Sequence, residues 1–173
     1  MIARSKFFDG YKREFGTYKD SIEFLLNKLD ESFIDDARWM SYILATIQHE
    51  TANTYLPVTE YGSKAYLRGK KYYPYIGRGF VQLTWDWNYK KFGKELNIDL
   101  YNNPNLANDP EIAWKVLELG MTSRKVNFTG KVLGDYFNEK TDWVNARRII
   151  NGRDRAEHIA NIGKKFYKII EFE

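Results

Sequence analysis

The stretch from Asp36 to Glu50 constrains the fold more than any other part of the sequence. Ala37, Met40, Ile43, Leu44 and Ile47 recur at helical spacing, and the central turns are apolar on most sides. A helix of this kind must be enclosed by other elements, and the sequence offers several with the same period. Residues 20 to 30 place Ile22, Leu25, Leu26 and Leu29 on one face, with Asp20 or Ser21 as cap. Further helices are predicted from Asn88 to about Leu96, from Glu111 to Met121, from Thr141 to Ile150 and from Arg155 to about Ile170. Asp109 caps the second of these with Pro110 in its first turn, and Asn151-Gly152 stops the third. Phe128 to Phe137 reads as a helix or a tight turn.

Lys70 to Trp87 has a different texture. Its aromatic and β-branched residues are broken at Pro74, Gly77 and Gly79, which predicts a short strand or hairpin. No linker or repeat interrupts the chain, so the expected class is mainly α (α+β), with one small hairpin or sheet, in a single domain spanning residues 1–173. At this length about 70% of the unfolded chain's surface is buried on folding, enough for a core without covalent staples.

Composition narrows the partners. There is no cysteine, so disulfides and thiolate metal sites are excluded. The N-terminus Met1-Ile2-Ala3-Arg4-Ser5-Lys6 lacks the apolar run of a signal peptide, and no segment approaches a membrane span, so a soluble product made in a cytoplasm is expected. Aromatic residues reach 17%, with 13 Tyr and five Trp, which points to a stacking surface beyond the needs of a core. The net charge of +4 is unevenly spread. Residues 20 to 36 are acidic, whereas residues 64 to 78 hold Lys64, Arg68, Lys70, Lys71 and Arg78 with no acid. A basic stretch of that kind favours a polyanionic partner. No nucleic-acid-binding motif accompanies it.

Glu50 closes the apolar helix and Glu60 follows a Pro-containing loop ten residues later. Burial and the negative end of the helix are expected to favour a protonated Glu50, while Glu60 is expected to be solvated and available as a base. Two carboxyls in contrasting environments are the arrangement used for acid and base roles in glycoside hydrolysis. Gln82 and Thr84, two apart on the predicted strand, share a face that could hold a sugar and a water. Arg78 lies between Gly77 and Gly79, where close backbone approach at a cleft wall is expected; no Gly-Lys-Ser/Thr follows, so this is not a phosphate loop. His49 and His158 are the only histidines, with neither a His-Glu-x-x-His zinc motif nor a Gly-x-Ser-x-Gly elbow. Metal-free, cofactor-free carboxylate chemistry is what remains among hydrolases.

In order along the chain stand Ala45-Thr46-Ile47-Gln48-His49-Glu50-Thr51, Glu60-Tyr61, Gly77-Arg78-Gly79-Phe80-Val81-Gln82-Leu83-Thr84-Trp85, Asn88-Tyr89, Asn102-Asn103-Pro104 and Arg148-Ile149-Ile150-Asn151-Gly152. Taken together, from about residue 37 to 170, they resemble glycoside hydrolase family 19, and within it the compact phage and prophage endolysins. The resemblance implies a lysozyme-like fold with the β element beside the cleft. It makes Glu50 the general acid, Glu60 the base that activates water and Thr84 a holder of that water. Gln82, Asn88, Asn151 and the aromatic Trp87 become sugar contacts, with Tyr61 and Arg78 at the same site. It also implies inversion at the anomeric carbon, with the carboxylates about 6.5 to 9.5 Å apart or wider.

The sequence departs from the family's chitinases in reading Thr51-Ala52-Asn53 where Thr-Gly-Gly is common, in its short interval between the two acids, and in offering no counterpart of a late cleft arginine within Ala156 to Lys165. Shortened loops imply an open cleft suited to branched peptidoglycan. The expected activity is therefore that of a monomeric muramidase-type endolysin that cleaves β-1,4 bonds of bacterial wall glycan, without membrane insertion or nucleic-acid binding, and reaches the wall by holin-dependent release. A chitinase is the alternative within the family, and a non-catalytic wall-binding module is the alternative from another class.

Overall fold

The computed structural model describes all 173 residues, of which 53% are helical and 3% lie in β pairings. The mainly helical class therefore holds. Packing divides the chain into two compact units, one formed by Met1–Tyr55 with Leu133–Glu173 and the other by Leu56–Val132.

The first unit is built on the predicted core helix. That helix, α3 in chain order, covers Ala37–Glu50 and follows α1 (Arg4–Phe15) and α2 (Ile22–Glu31). Asp36 caps it, its side chain accepting from the Arg38 backbone N–H at 2.7 Å, and every residue from Met40 to Ile47 is buried. The last helix of the chain, Ala156–Ile169, is its main partner. This helix buries Ala156, Ile159, Ala160, Gly163, Phe166 and Ile169, the three- and four-residue stripe of an amphipathic helix. Gly163 is required for the fit, because a Cβ there would stand 2.9 Å from the Trp143 ring. The chain ends are tied together by an Ile2–Phe172 bridge and by the Ala3 N–H donating to the Glu171 carbonyl at 2.8 Å.

Several expectations need correction in this unit. Helix α1 has no counterpart among the predicted helices; it buries Phe7 and Tyr11 beside Phe166, and the four-residue recurrence Phe7, Tyr11, Phe15 is its only sequence signal. Ser21 does not cap α2 through its side chain, since its hydroxyl donates to the Thr54 carbonyl at 2.5 Å. Of the helix or tight turn expected at 128–137 the turn forms, as a 3-10 turn at Leu133–Asp135, and the helix expected at 141–150 shrinks to a short 3-10 turn, Asn145–Ile149. Asp142 is one cause of the shortening: its carboxylate binds both the backbone and side-chain nitrogens of Asn145, which starts the turn four residues after the start of the predicted helix.

The second unit contains α4 (Lys64–Arg68), α5 (Asp86–Leu96), a 3-10 turn at Pro104–Asn108 and α6 (Pro110–Thr122), which makes the terminal helix α7. Asp109 caps α6 as predicted, its carboxylate accepting from the Ile112 N–H at 3.1 Å. Leu83, Tyr89, Phe92, Leu100, Val116 and Val126 form the buried core. Of the short strand or hairpin expected over 70–87, a minimal hairpin forms. Arg78 and Leu83 exchange both backbone bonds, at 3.1 and 2.8 Å, around a turn that puts Gln82 at φ +58°. The side-chain alternation of a continuous strand, and with it the shared face of Gln82 and Thr84, is therefore lost.

Candidate active site

Glu50 is the last residue of α3, and the turn from Thr51 to Tyr55 fixes its position. The Thr51 N–H and hydroxyl both donate to the Ile47 carbonyl, at 2.9 and 2.7 Å, and the Thr51 oxygen accepts from the Tyr55 N–H at 3.0 Å. Tyr55 is in turn anchored by a 2.7 Å hydrogen bond between its phenol and that of Tyr11, both buried. Ala52 and Asn53 adopt φ of +48° and +65°, the left-handed region that suits the Gly-Gly common in the resembled chitinases. The sequence differs there, and the backbone keeps a glycine-like path.

Glu50 has an ionic partner that the expected burial and helix-end field did not include. Its side chain is 16% exposed, and Arg147, only 2% exposed, donates from Nη1 to Glu50 Oε1 at 2.9 Å. A second bond, from Arg147 Nε to the Asp154 carbonyl at 2.8 Å, fixes the guanidinium plane. Sequence reasoning missed Arg147, although a charged residue among Ala146, Ile149 and Ile150 marks a cation carried into an apolar segment. His49, the preceding residue, meets His158 edge to face at 5.7 Å. Burial holds the His49 imidazole below its usual range; Glu50 opposes this, while Arg147, His158 and Arg155 add to it.

In the second unit Glu60 is carried by a small antiparallel pairing. Val58 and Gly79 exchange backbone bonds of 3.1 Å, and the Glu60 N–H donates to the Gly77 carbonyl at 2.7 Å. The Glu60 carboxylate is half-buried and held at both oxygens, where a freely solvated one was expected. Tyr72 donates its phenol proton to Oε1 at 2.7 Å, and the Gly77 N–H donates to Oε2 at 3.1 Å. Desolvation first, and then the bond to Glu60, push the Tyr72 phenol up to about 12, so it remains a proton donor at neutral pH. The ring of Tyr72 meets Trp85 edge-on at 5.1 Å, and Trp85 stacks on Trp87 at 4.6 Å with planes 16° apart. Tyr72, like Arg147, is a partner of a candidate carboxylate that the sequence did not single out.

The other predicted residues divide between the two units. Asn151 is exposed in the first, just after the turn that carries Arg147. In the second, Gln82 donates its amide to the Val58 carbonyl at 2.8 Å and lies across Gly77, where a Cβ would come within 2.6 Å of Gln82 Oε1. Thr84 donates its hydroxyl to the Gln82 carbonyl at 2.8 Å, and Asn88 donates to the Thr84 carbonyl at 3.0 Å. Trp87 is 55% and Tyr61 97% exposed. Arg78 departs from expectation. It is 7% exposed, and its Nη1 donates to the Pro74 carbonyl and the Tyr89 phenol, both at 3.0 Å. The guanidinium satisfies inward-facing oxygens of its own unit, so Arg78 serves the frame that carries Glu60 in place of the expected sugar contact.

Comparison with known proteins adds an independent line. The acidic endochitinase of Dioscorea japonica is 27% identical over 137 residues, 75% of this chain and 55% of that protein. An inactive chitinase-like protein of Hevea brasiliensis is 52% identical over 48 residues, 27% of this chain and 14% of that one. The chain spans between 13% and 55% of the length of these and other curated relatives. Among solved structures, chitinase C from Streptomyces griseus superposes with a TM-score of 0.64 at 25% identity, covering 93% of this chain and 90% of the other. Residues 38–151 match the sequence model of glycoside hydrolase family 19, described as chitinase class I, and that span includes Glu50, Glu60, Tyr72, the Gly77 to Thr84 turn and Arg147. The chain belongs to glycoside hydrolase family 19.

Proposed function

We propose that this protein hydrolyses the β-1,4 bond between N-acetylmuramic acid and N-acetylglucosamine in bacterial wall glycan, acting as a monomer by an inverting mechanism. Glu50 donates a proton to the glycosidic oxygen as the bond from that oxygen to the anomeric carbon breaks. Glu60 removes a proton from the water that attacks the same carbon. The observation that carries this reading is that both carboxylates, which lie within the span matched to the family, are held by dedicated polar partners: Glu50 by Arg147, and Glu60 by Tyr72 and the Gly77 N–H. After Glu50 has given up its proton, Arg147 compensates the carboxylate that is left. Thr84 uses its own proton on the Gln82 carbonyl, so its oxygen is oriented to accept a hydrogen from the attacking water. Trp87, Tyr61, Asn88 and Asn151 offer stacking and hydrogen-bonding groups for sugar rings and N-acetyl groups.

The preference for wall glycan rests on the exposed cations Lys64, Arg68 and Lys71 on and beside α4, together with the short Thr51 to Thr59 connection. Delivery follows the endolysin pattern: synthesis in a cytoplasm and holin-dependent release. No helix is long and apolar enough to cross a membrane. Chitin is the second reading, favoured by the chitinase names of the relatives. Mass analysis of fragments released from purified peptidoglycan, set against reducing ends released from chitin oligomers, separates the two.

The test of the central assignment is Glu50→Gln. Loss of wall lysis by about 10²- to 10⁴-fold is expected, the range for removing a general acid, in a protein that still unfolds cooperatively above the assay temperature. Undiminished lysis by the folded variant sinks the assignment. Wall binding without new reducing ends from the wild type would instead identify a non-catalytic binding module.

A further inference from the structure

The proposed function uses Tyr72 only as a partner of Glu60, yet Tyr72 also connects two features of the second unit that otherwise stand apart. One is the Glu60 carboxylate, which is held by two hydrogen-bond donors, the Tyr72 phenol and the Gly77 N–H. The other is the aromatic run Trp85–Trp87, whose outer ring is 55% exposed with one face covered by Trp85. Tyr72 touches both, giving its proton to Glu60 Oε1 at 2.7 Å and its ring edge to Trp85 at 5.1 Å. Trp85 is held at φ +76°, a conformation uncommon for a bulky residue and maintained by its surroundings, with its N–H on the Tyr75 carbonyl at 2.9 Å.

We infer that Tyr72 is a positioning residue for the base. Its phenol selects the rotamer of Glu60 and leaves the carboxylate's remaining lone pairs for water, while its ring, through Trp85, fixes that carboxylate relative to the Trp87 face on which a sugar ring stacks. The inference rests on the reading of Glu60 as base. It assigns the orientation of that base to a side chain outside the Gly77 to Trp85 motif, contributed by the turn after α4. A carboxylate bound at each oxygen by one donor cannot rotate without losing a bond. The water it activates then sits at a fixed height above the sugar plane set by Trp87, the kind of alignment on which proximity effects depend.

Tyr72→Phe tests this, because it removes one oxygen and keeps the ring against Trp85. A hydrogen bond to a charged group corresponds to about a tenfold or greater change in rate. The expected result on soluble wall-glycan oligomers is a fall in kcat of about tenfold with KM changed less than about twofold. The acidic limb of the pH–rate profile should move to higher pH, since a carboxylate that has lost a donor ionises less readily. Trp87→Ala should show the opposite split, with KM raised about tenfold by the lost stacking surface and the acidic limb in place. A Tyr72→Phe protein with unchanged kcat and acidic limb overturns the inference, as does one whose loss lies in KM with the limb unmoved. Glu60→Gln, measured alongside, separates the two levels. If it stays active, the reading of Glu60 as base has failed; if it is inactive while Tyr72→Phe matches wild type, only the role of Tyr72 has failed.

Discussion

Replacing Arg147 with Met should be the most costly single change near the proposed acid. Met preserves much of the aliphatic volume, so the loss is chiefly polar: the 2.9 Å bond to Glu50 and the 2.8 Å bond to the Asp154 carbonyl. Removing one partner of a buried ion pair costs about 3 to 5 kcal/mol because the other charge is left uncompensated. Glu50 keeps 16% exposure, which allows some rehydration and sets the expectation at the lower end, about 3 kcal/mol. For a chain of this size that corresponds to a fall in Tm of about 6 to 12 °C. Urea unfolding of wild type, Arg147→Met, Glu50→Gln and the double variant forms a cycle. The double variant should be less destabilised than the sum of the singles by about 1 to 3 kcal/mol, because the two residues act on each other. A cost below about 1 kcal/mol for Arg147→Met, the value of an exposed pair, would refute this role for the pair, as would two changes that add within about 0.5 kcal/mol.

Three further outcomes are expected. Gly77→Ala would drive a Cβ to 2.6 Å from Gln82 Oε1 and displace an amide that bonds to the Val58 carbonyl. It should cost about 1 to 3 kcal/mol in thermal melts, and an equal cost in a Gln82→Ala background would contradict that cause. Ala52→Gly should stabilise by about 0.5 to 1 kcal/mol, because φ at residue 52 is +48° and glycine relieves the left-handed strain; destabilisation in urea would count against it. His49 is held below its usual range in the folded state, so the unfolded chain binds the extra proton first. The stability this confers is present above about pH 6.5 and is lost as pH falls toward the folded value. Urea midpoints should decline over that window and flatten in His49→Gln, and parallel slopes for the two proteins would exclude the effect.

What the sequence revealed tracks how local each cause is. Helices α3 and α6 were legible because apolar period and cap act within a few residues, and Asp36 and Asp109 do cap them. Helix α1 was not, because its stripe of Phe7, Tyr11 and Phe15 is thin and gains its meaning only against Phe166. The segment 141–150 has helical periodicity, yet Asp142 competes for Asn145 and a 3-10 turn results. The two acids could be named from their motifs. Their partners could not: Arg147 lies 97 residues from Glu50, and Tyr72 lies 12 from Glu60 on the far side of α4. Arg78 shows the reverse error. A charged residue between two glycines reads as part of a cleft wall, and only the carbonyl and phenol oxygens gathered around its guanidinium reveal that it is internal.

The stereochemistry of the first product tests the central claim most directly. Proton NMR of wall-glycan oligomers during the first minutes of hydrolysis resolves the anomers before mutarotation mixes them. An acid and a base acting through water, without a covalent sugar–enzyme intermediate, predict the α-anomer as the initial product of the β-linked glycan. An initial β-anomer, or no new reducing ends at all, would contradict the roles given to Glu50 and Glu60.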